Sequence, residues 1–380
     1  MEKKPFSFHI DPSMFEPASL GEKKELIIQR QSLSFWRDAW RRLRKNPTAM
    51  IGLAMIILAL LFAFVGPLIV PYKYDEQVRG FENLRPMQTP EARNDAKNAV
   101  VKPKNRSDEF AYDFDTSPPE DTANKATVTV ENKVAIFPHV LGTDSLGRDN
   151  LVRLMYGSRI SLLVGILASV IILIIGSTYG AFSGFVGGKT DNIMMRILEL
   201  LYAIPDILIV IILAIVLKAP LSKLFAVSPA LSKLTGIGPG LLSMFITFAL
   251  LYWVGMARIV RGQVLQLKEQ EFIIAAQALG AGNNRVIFKH LIPNCIGPII
   301  VTTTFQVPNA IFVESFLSFI GLGISAPMAS LGSLANDAMS GIQTNPYMLA
   351  QPAIMIAIII LAFNMLGDGL RDALDPKMKK

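Results

Sequence analysis

The chain has 380 residues, 51% of them hydrophobic and only 18% charged, with a mean hydropathy of +0.42. That balance excludes an ordinary soluble domain, and a single cysteine, Cys295, excludes an internal disulfide or a Cys-rich metal centre. A net charge of +7 would suit nucleic acid, but the basic residues gather beside apolar runs, which points to a membrane instead.

Residues 1–33 mix charge with scattered proline and show no sustained periodicity, so a flexible tail is expected there. Residues 34–47, SFWRDAWRRLRKNP, set Phe35, Trp36, Trp40 and Leu43 near one face and Arg37, Arg41, Arg44 and Lys45 elsewhere. This pattern predicts an interfacial amphipathic helix, its rings among acyl chains and its cations among lipid headgroups. Direct abutment to an apolar run argues against nucleic acid as the partner. The first spanning helix follows at 49–70, too deep in the chain and too long for a cleaved signal.

Residues 71–138 form a polar, mixed-charge insert with one alternating stretch, ATVTVENKV, that could be a strand. Residues 139–162 contain LGTDSLGRD and YGSRISL, where Asp144, Arg148 and Asp149 are placed to satisfy one another and nearby backbone. Further apolar segments of spanning length lie at 160–182, 193–217, 238–257, 295–317 and 352–370, which makes six spans in all. The first 45 residues hold ten Lys or Arg, and the loop after the fourth span holds Arg258, Arg261, Lys268, Arg285 and Lys289. The loop between spans five and six holds none. By the positive-inside rule both termini and the fourth loop are cytoplasmic, and the insert is extracytoplasmic.

Several polar residues fall inside these spans. Glu199 and Asp206 are seven apart on the third helix, on one face, with Asp206 about 20 Å in at 1.5 Å per residue. A charge at that depth costs at least about 2.5 kcal/mol against lipid. Two readings stay open: these acids line a translocation path, or Pro205 opens a helix break with which Asp206 pairs. Gln306, Asn309 and Glu314 on the fifth span pose the same question, with Pro308 expected to kink it. Gly176, Gly180, Gly184 and Gly188 repeat every four residues, a small-residue ridge for close helix packing.

The loop 268–294 carries QEFIIAAQALGAGNNRVIFKHLIPN, a polar, helix-forming stretch between two apolar runs. Ala275 and Ala276 are small enough for a partner to approach closely, Gly280 breaks the helix, and Pro293 starts the next span. Glu271, Ala281 and Asn283 complete the candidate contact set. This arrangement resembles the EAA loop of bacterial ABC importer permeases, with Ile274 in place of the usual Glu and His290 and Ile292 at the usual Ile and Leu positions. Peptide-transporting members commonly lack that Glu. The 139–162 segment resembles the opening of the conserved domain in C-type subunits of oligopeptide and dipeptide permeases. GFVGGKTDNIMMR, AIFVESFLSFIGLG and NMLGDGLRDALDP are similar to later family segments in the same order. The resemblance spans about 35–70 and 139–376 and leaves the tail and the insert outside it.

One motif misleads. SGFVGGKT at 183–190 nearly spells a phosphate-binding loop, but Ser183 replaces the first Gly and no parallel-sheet pattern surrounds it. His9, His139 and His290 have no metal-ligand spacing, and no nucleophile elbow occurs. The chain is therefore expected to be no enzyme and to bind no cofactor itself. The resemblance implies an all-helical type I importer subunit with a core permease domain at 139–376. It implies as partners a homologous B-type permease, two ATPase subunits carrying ATP and Mg, an extracytoplasmic substrate-binding protein and a peptide substrate. The competing readings are a secondary transporter driven by an ion gradient, which would favour inverted repeats and a midplane ion site, and a related importer of nickel chelates or other small solutes.

Overall fold

The computed structural model describes residues 35–77, 81–88, 138–227, 238–324 and 328–374. The expected tail, the alternating stretch of the insert and the last basic residues lie outside them. The described residues form eleven principal helices, with two isolated bridges and no strand. Six apolar segments reach spanning length: Pro47–Phe64, Asn150–Val186, Asp206–Phe225, Pro239–Leu267, Ile296–Phe319 and Tyr347–Leu374.

Helix α1 (Phe35–Lys45) lies against the end of the bundle. Leu43 is buried against Ala49 and Ala373, while Phe35, Trp36 and Trp40 stay exposed. Asn46 then caps α2 (Pro47–Phe64), its side chain accepting from the Thr48 and Ala49 amides at 3.1 and 3.3 Å. Proline at the first helical position fits because its missing N–H would be unsatisfied there anyway.

Helix α3 (Asn150–Val186) is 37 residues long and starts ten residues before the apolar run. Asp149 is its N-cap, accepting from the Val152 amide at 2.8 Å and from His139 Nδ1 at 2.7 Å. The 139–162 segment is thus half loop and half helix. Asp144 Oδ1 accepts from the Leu146 and Arg148 amides, and Oδ2 takes Arg148 Nε at 2.7 Å and also Arg153. Arg153 continues to Asp337 at 3.0 Å. The segment ties the loop to the second span, as the sequence suggested.

The third span departs from expectation. Helix α4 (Gly188–Tyr202) ends, Ala203–Pro205 break the chain direction, and α5 (Asp206–Val227) begins afresh. Ile204 precedes Pro205, and the proline ring disfavours the helical region for its predecessor. Glu199 and Asp206 are therefore not on one helix face, and Asp206 opens a span instead of lying 20 Å inside one. Helices α6 (Pro239–Leu251) and α7 (Val254–Leu267) form the fourth span with a turn at Tyr252 and Trp253. After α8 (Glu271–Ala278) a π-helical turn, Val286–Leu291, leads to α9 (Ile296–Phe319), which runs through Pro308. Helices α10 (Leu331–Met339) and α11 (Tyr347–Leu374) close the bundle.

Close packing is set by the glycine ridge of α3. A Cβ on Gly180 would lie 2.3 Å from the Ala257 carbonyl oxygen, and one on Gly176 would lie 2.6 Å from Met256 Cβ. At Gly184 the Arg261 carbonyl would be 2.9 Å away. Backbone meets backbone along α3 and α7, which only glycine permits. Gly188 is not part of this ridge; it sits at φ +58° just past the helix, with open space around it. The Gly187–Gly188 pair joins two helices, so the 183–190 segment has no strand feeding it.

Candidate functional site: the coupling loop and a cavity between three helices

Gln270, in an extended conformation, starts α8, and Glu271 puts a negative charge in the first turn, where the helix dipole favours it. The helix stops at Ala278, five residues short of Asn283. Gly280 has φ +85°, its amide donates to the Gln277 carbonyl at 2.9 Å, and the Ala281 amide donates to the Ala276 carbonyl at 3.0 Å. This paired closure is a Schellman ending, and it needs the left-handed residue that glycine supplies.

The two faces of α8 differ. Ile273 is fully buried in a cluster with Val260, Val264, Val286, Ile287 and Leu291, so the helix is pinned to α7 and to the π turn. Phe272, Ile274 and Phe288 are exposed, and Leu279 is 90% exposed. Ala275, Gly280, Asn283 and Pro293 are exposed as well, and Ala276 and Ala281 are half-buried. A hydrophobic surface of this kind on a loop between two spans suits a partner.

The candidate path residues separate into three environments. Asp206, Gln306 and Asn309 line one cavity of about 320 Å³ with Tyr202, Pro205, Tyr252 and Gly255. Gln306 and Asn309 come from the middle of the 24-residue α9, Asp206 from the α4/α5 break and Tyr252 from the α6/α7 turn. Glu199 is not in the lining; it is exposed and paired with Arg196 at 2.7 Å. Glu314 is enclosed, with 0% exposure. Its Oε2 accepts from Ser161 Oγ at 2.7 Å and its Oε1 from Ser318 Oγ at 2.8 Å. Those hydroxyls in turn accept from the Leu331 and Ile324 amides. Glu314 thus knits α3, α9 and the start of α10 together.

Two groups went unnoticed in the sequence. Tyr252 lies in an apolar run, where its aromatic ring reads as ordinary core. Asp191, on α4, is 6% exposed and accepts from Ser183 Oγ at 2.5 Å and from Arg261 Nε and Nη2 at 2.6 and 2.5 Å. The Arg261 guanidinium holds the Asp191 carboxyl below the usual carboxylate range, against the upward push of burial. This bidentate contact latches α4 to α3 and α7 beside the base of the coupling loop.

Comparison with known proteins agrees with this architecture. Residues 176–380 match the model of the binding-protein-dependent transport system inner membrane component, and residues 34–86 match the N-terminal TM domain of oligopeptide transport permease C. The oligopeptide transport system permease protein OppC of Bacillus subtilis is 40% identical over 98% of this chain and 99% of its own length. The dipeptide transport system permease protein DppC of the same organism is 40% identical over 93% of this chain and 89% of its own. Among solved structures, the inward-facing MetNI methionine ABC transporter is similar over 59% of this chain and 96% of that chain, with TM-score 0.43 and 18% identity, a likeness too slight to build on. The chain belongs to the family of binding-protein-dependent transport system inner membrane components, and within it to the C-type permeases of oligopeptide and dipeptide importers.

Proposed function

We propose that this chain is one of two homologous permease subunits that together form the path of an ATP-driven peptide importer. The observation that carries the coupling role is the two-sided α8: Ile273 anchors it in the core, while Phe272, Ile274 and Leu279 offer an apolar surface. A soluble ATPase subunit docking on that outer surface would push on Ile273 and hence on α7 and α9. Closure of an ATPase dimer would then move α8 as a short lever, rotate the bundle from inward- to outward-open, and be reversed after hydrolysis.

In this reading both termini and the coupling loop are cytoplasmic, and a binding protein delivers peptide on the insert side. ATP and Mg are bound by the ATPase subunits, and this chain supplies passage and coupling without chemistry of its own. Peptide as substrate is supported by the names of the relatives; nickel chelates or another small solute are the competing cargo.

Leu279→Asp tests the docking surface, because the residue touches little of its own chain. The membrane subunits are expected to purify with unchanged thermal stability, to lose ATPase subunits on size exclusion, and to lose peptide uptake at least tenfold in proteoliposomes. Full uptake by this variant would remove α8 from the coupling role.

A further inference from the structure

The cavity bounded by α5, α9 and the α6/α7 turn contains polar atoms with nothing to bind. Tyr252 Oη and Gln306 Oε1 are both buried without a hydrogen-bond partner, and both residues line it. Asp206, at the rim, accepts one bond, from the Ile207 amide at 2.9 Å, and is in no ion pair among the described residues. The remaining wall is largely apolar, from Leu201, Ile204, Ile209 and Leu251. No basic residue lines the cavity among the described residues, and Arg258 is engaged over the ring of Tyr202 at 4.6 Å.

These features define what would fit. An orphan amide oxygen and a carboxylate both require donors, and the unpartnered Tyr252 oxygen can accept one. Water would satisfy the two orphans but brings no positive charge to Asp206. A primary ammonium has three N–H donors, no acceptor and one positive charge, and so matches the bonding capacity of this lining.

We propose that this cavity is a station for a primary ammonium group of the transported peptide, gripped by Asp206, Gln306 and Tyr252 midway along α9. The inference rests on the peptide-import reading above and adds the chemical group of the peptide that this subunit recognises. Tyr202, Ile204 and Asp206 are exposed at the rim, and in this proposal the opening lies on the path shared with the second permease. Asn309 adds an amide beside the same volume, suited to the first peptide bond behind the ammonium.

The test is equilibrium binding to the purified complex of two permeases and two ATPases without binding protein, which keeps that protein's own selectivity out of the reading. The probes are trialanine, N-acetyl-trialanine and N-acetyl-Ala-Ala-Lys, the last carrying its only ammonium on a side chain. Acetylation of trialanine is expected to weaken binding to the wild type by about ten- to a hundredfold. Asp206→Asn should weaken trialanine by a similar factor and leave acetylation without further effect, while Asp206→Glu restores part of the loss. Binding of N-acetyl-Ala-Ala-Lys comparable to trialanine would identify any primary ammonium as ligand; failure to bind would restrict the station to the α-ammonium. An Asp206→Asn complex that melts like the wild type and still discriminates the acetylated peptide would overturn the proposal. So would absence of any binding by a complex that takes up trialanine when ATP and binding protein are added. If that complete system takes up no peptide, the import reading itself fails, and the station with it.

Discussion

Asp206 and Glu314 are both carboxylates in or beside spanning helices, and their surroundings are opposite. Glu314 has its oxygens engaged by serine hydroxyls, has no exposure, and sits where three helices converge. Asp206 is exposed at the edge of a cavity in which Tyr252 Oη and Gln306 Oε1 lack partners. Polar groups in an apolar medium persist when their bonds are complete, and an incomplete set marks a place where something else is to arrive. The closed side of the bundle, built on α3, α7 and α9, therefore carries structure, and the side opening at the α4/α5 break carries recognition.

The closed side should tolerate almost nothing. Gly180→Leu would drive a side chain into the Ala257 backbone, 2.3 Å from where its Cβ would begin, and backbone cannot swing aside. No monodisperse permease should be recovered in detergent, with a cost above about 3 kcal/mol. Glu314→Ala comes next: it leaves a void and strands the Ser161 and Ser318 hydroxyls, for a loss of about 2–4 kcal/mol in unfolding. Glu314→Gln, which keeps one acceptor oxygen, should lose roughly half of that. If Glu314→Ala instead spared stability and altered transport, the division between the two sides would collapse.

A smaller effect is expected at the Asp191 latch, where Asp191→Asn should cost about 1–2 kcal/mol. Because the folded-state carboxyl is held below its ordinary value by Arg261, its contribution is fully present above the unfolded pKa and is lost as pH falls toward the lowered folded value. Melting curves across the acidic range should show wild-type stability falling there, and the Asn variant lacking that component. The smallest change belongs to the open side. Tyr252→Phe deletes a hydroxyl that has no partner, so stability should stay within about 0.5 kcal/mol or rise slightly. A drop of several kcal/mol would show that the hydroxyl has an internal partner and that the cavity is not waiting for a ligand.

The spans were legible because about twenty apolar residues in a row have few alternatives. Their ends were less so. The apolar run at 193–217 passes straight across Ile204–Pro205, and hydropathy does not register a break between two helices; the proline is the available signal, and it supports the helix-break reading of Asp206 without fixing where the span begins. The start of α3 at Asn150 was hidden because Arg153, Tyr156 and Arg159 dilute the apolar average, although the Asp149 cap was in plain view. Helix α10 escaped because its nine residues are held by a Ser330–Ser333 capping box and by packing against distant helices, with little periodicity of their own. Of the five path candidates, the three that share the cavity came from two segments a hundred residues apart. Their residue type was visible, but their convergence, like the enclosure of Glu314, is a property of tertiary packing.

Helix α2 also sets a constraint on how the protein is made. Its main neighbour is α11: Ile56, Ala59 and Ala63 cluster with Ile359, Ala362 and Phe363, and a Cβ on Gly52 would lie 2.7 Å from the Ala362 carbonyl oxygen. The helix that leaves the ribosome first among the spans thus packs against the one that leaves last. During insertion the face of α2 that meets α11, on an apolar rod with no internal charge, must wait in lipid while roughly three hundred residues are translated, at about 5–20 residues per second. A messenger cut short before α11 would yield a product whose first span has α3 but lacks its main partner, and membrane quality control would meet it with the groove at Gly52 open.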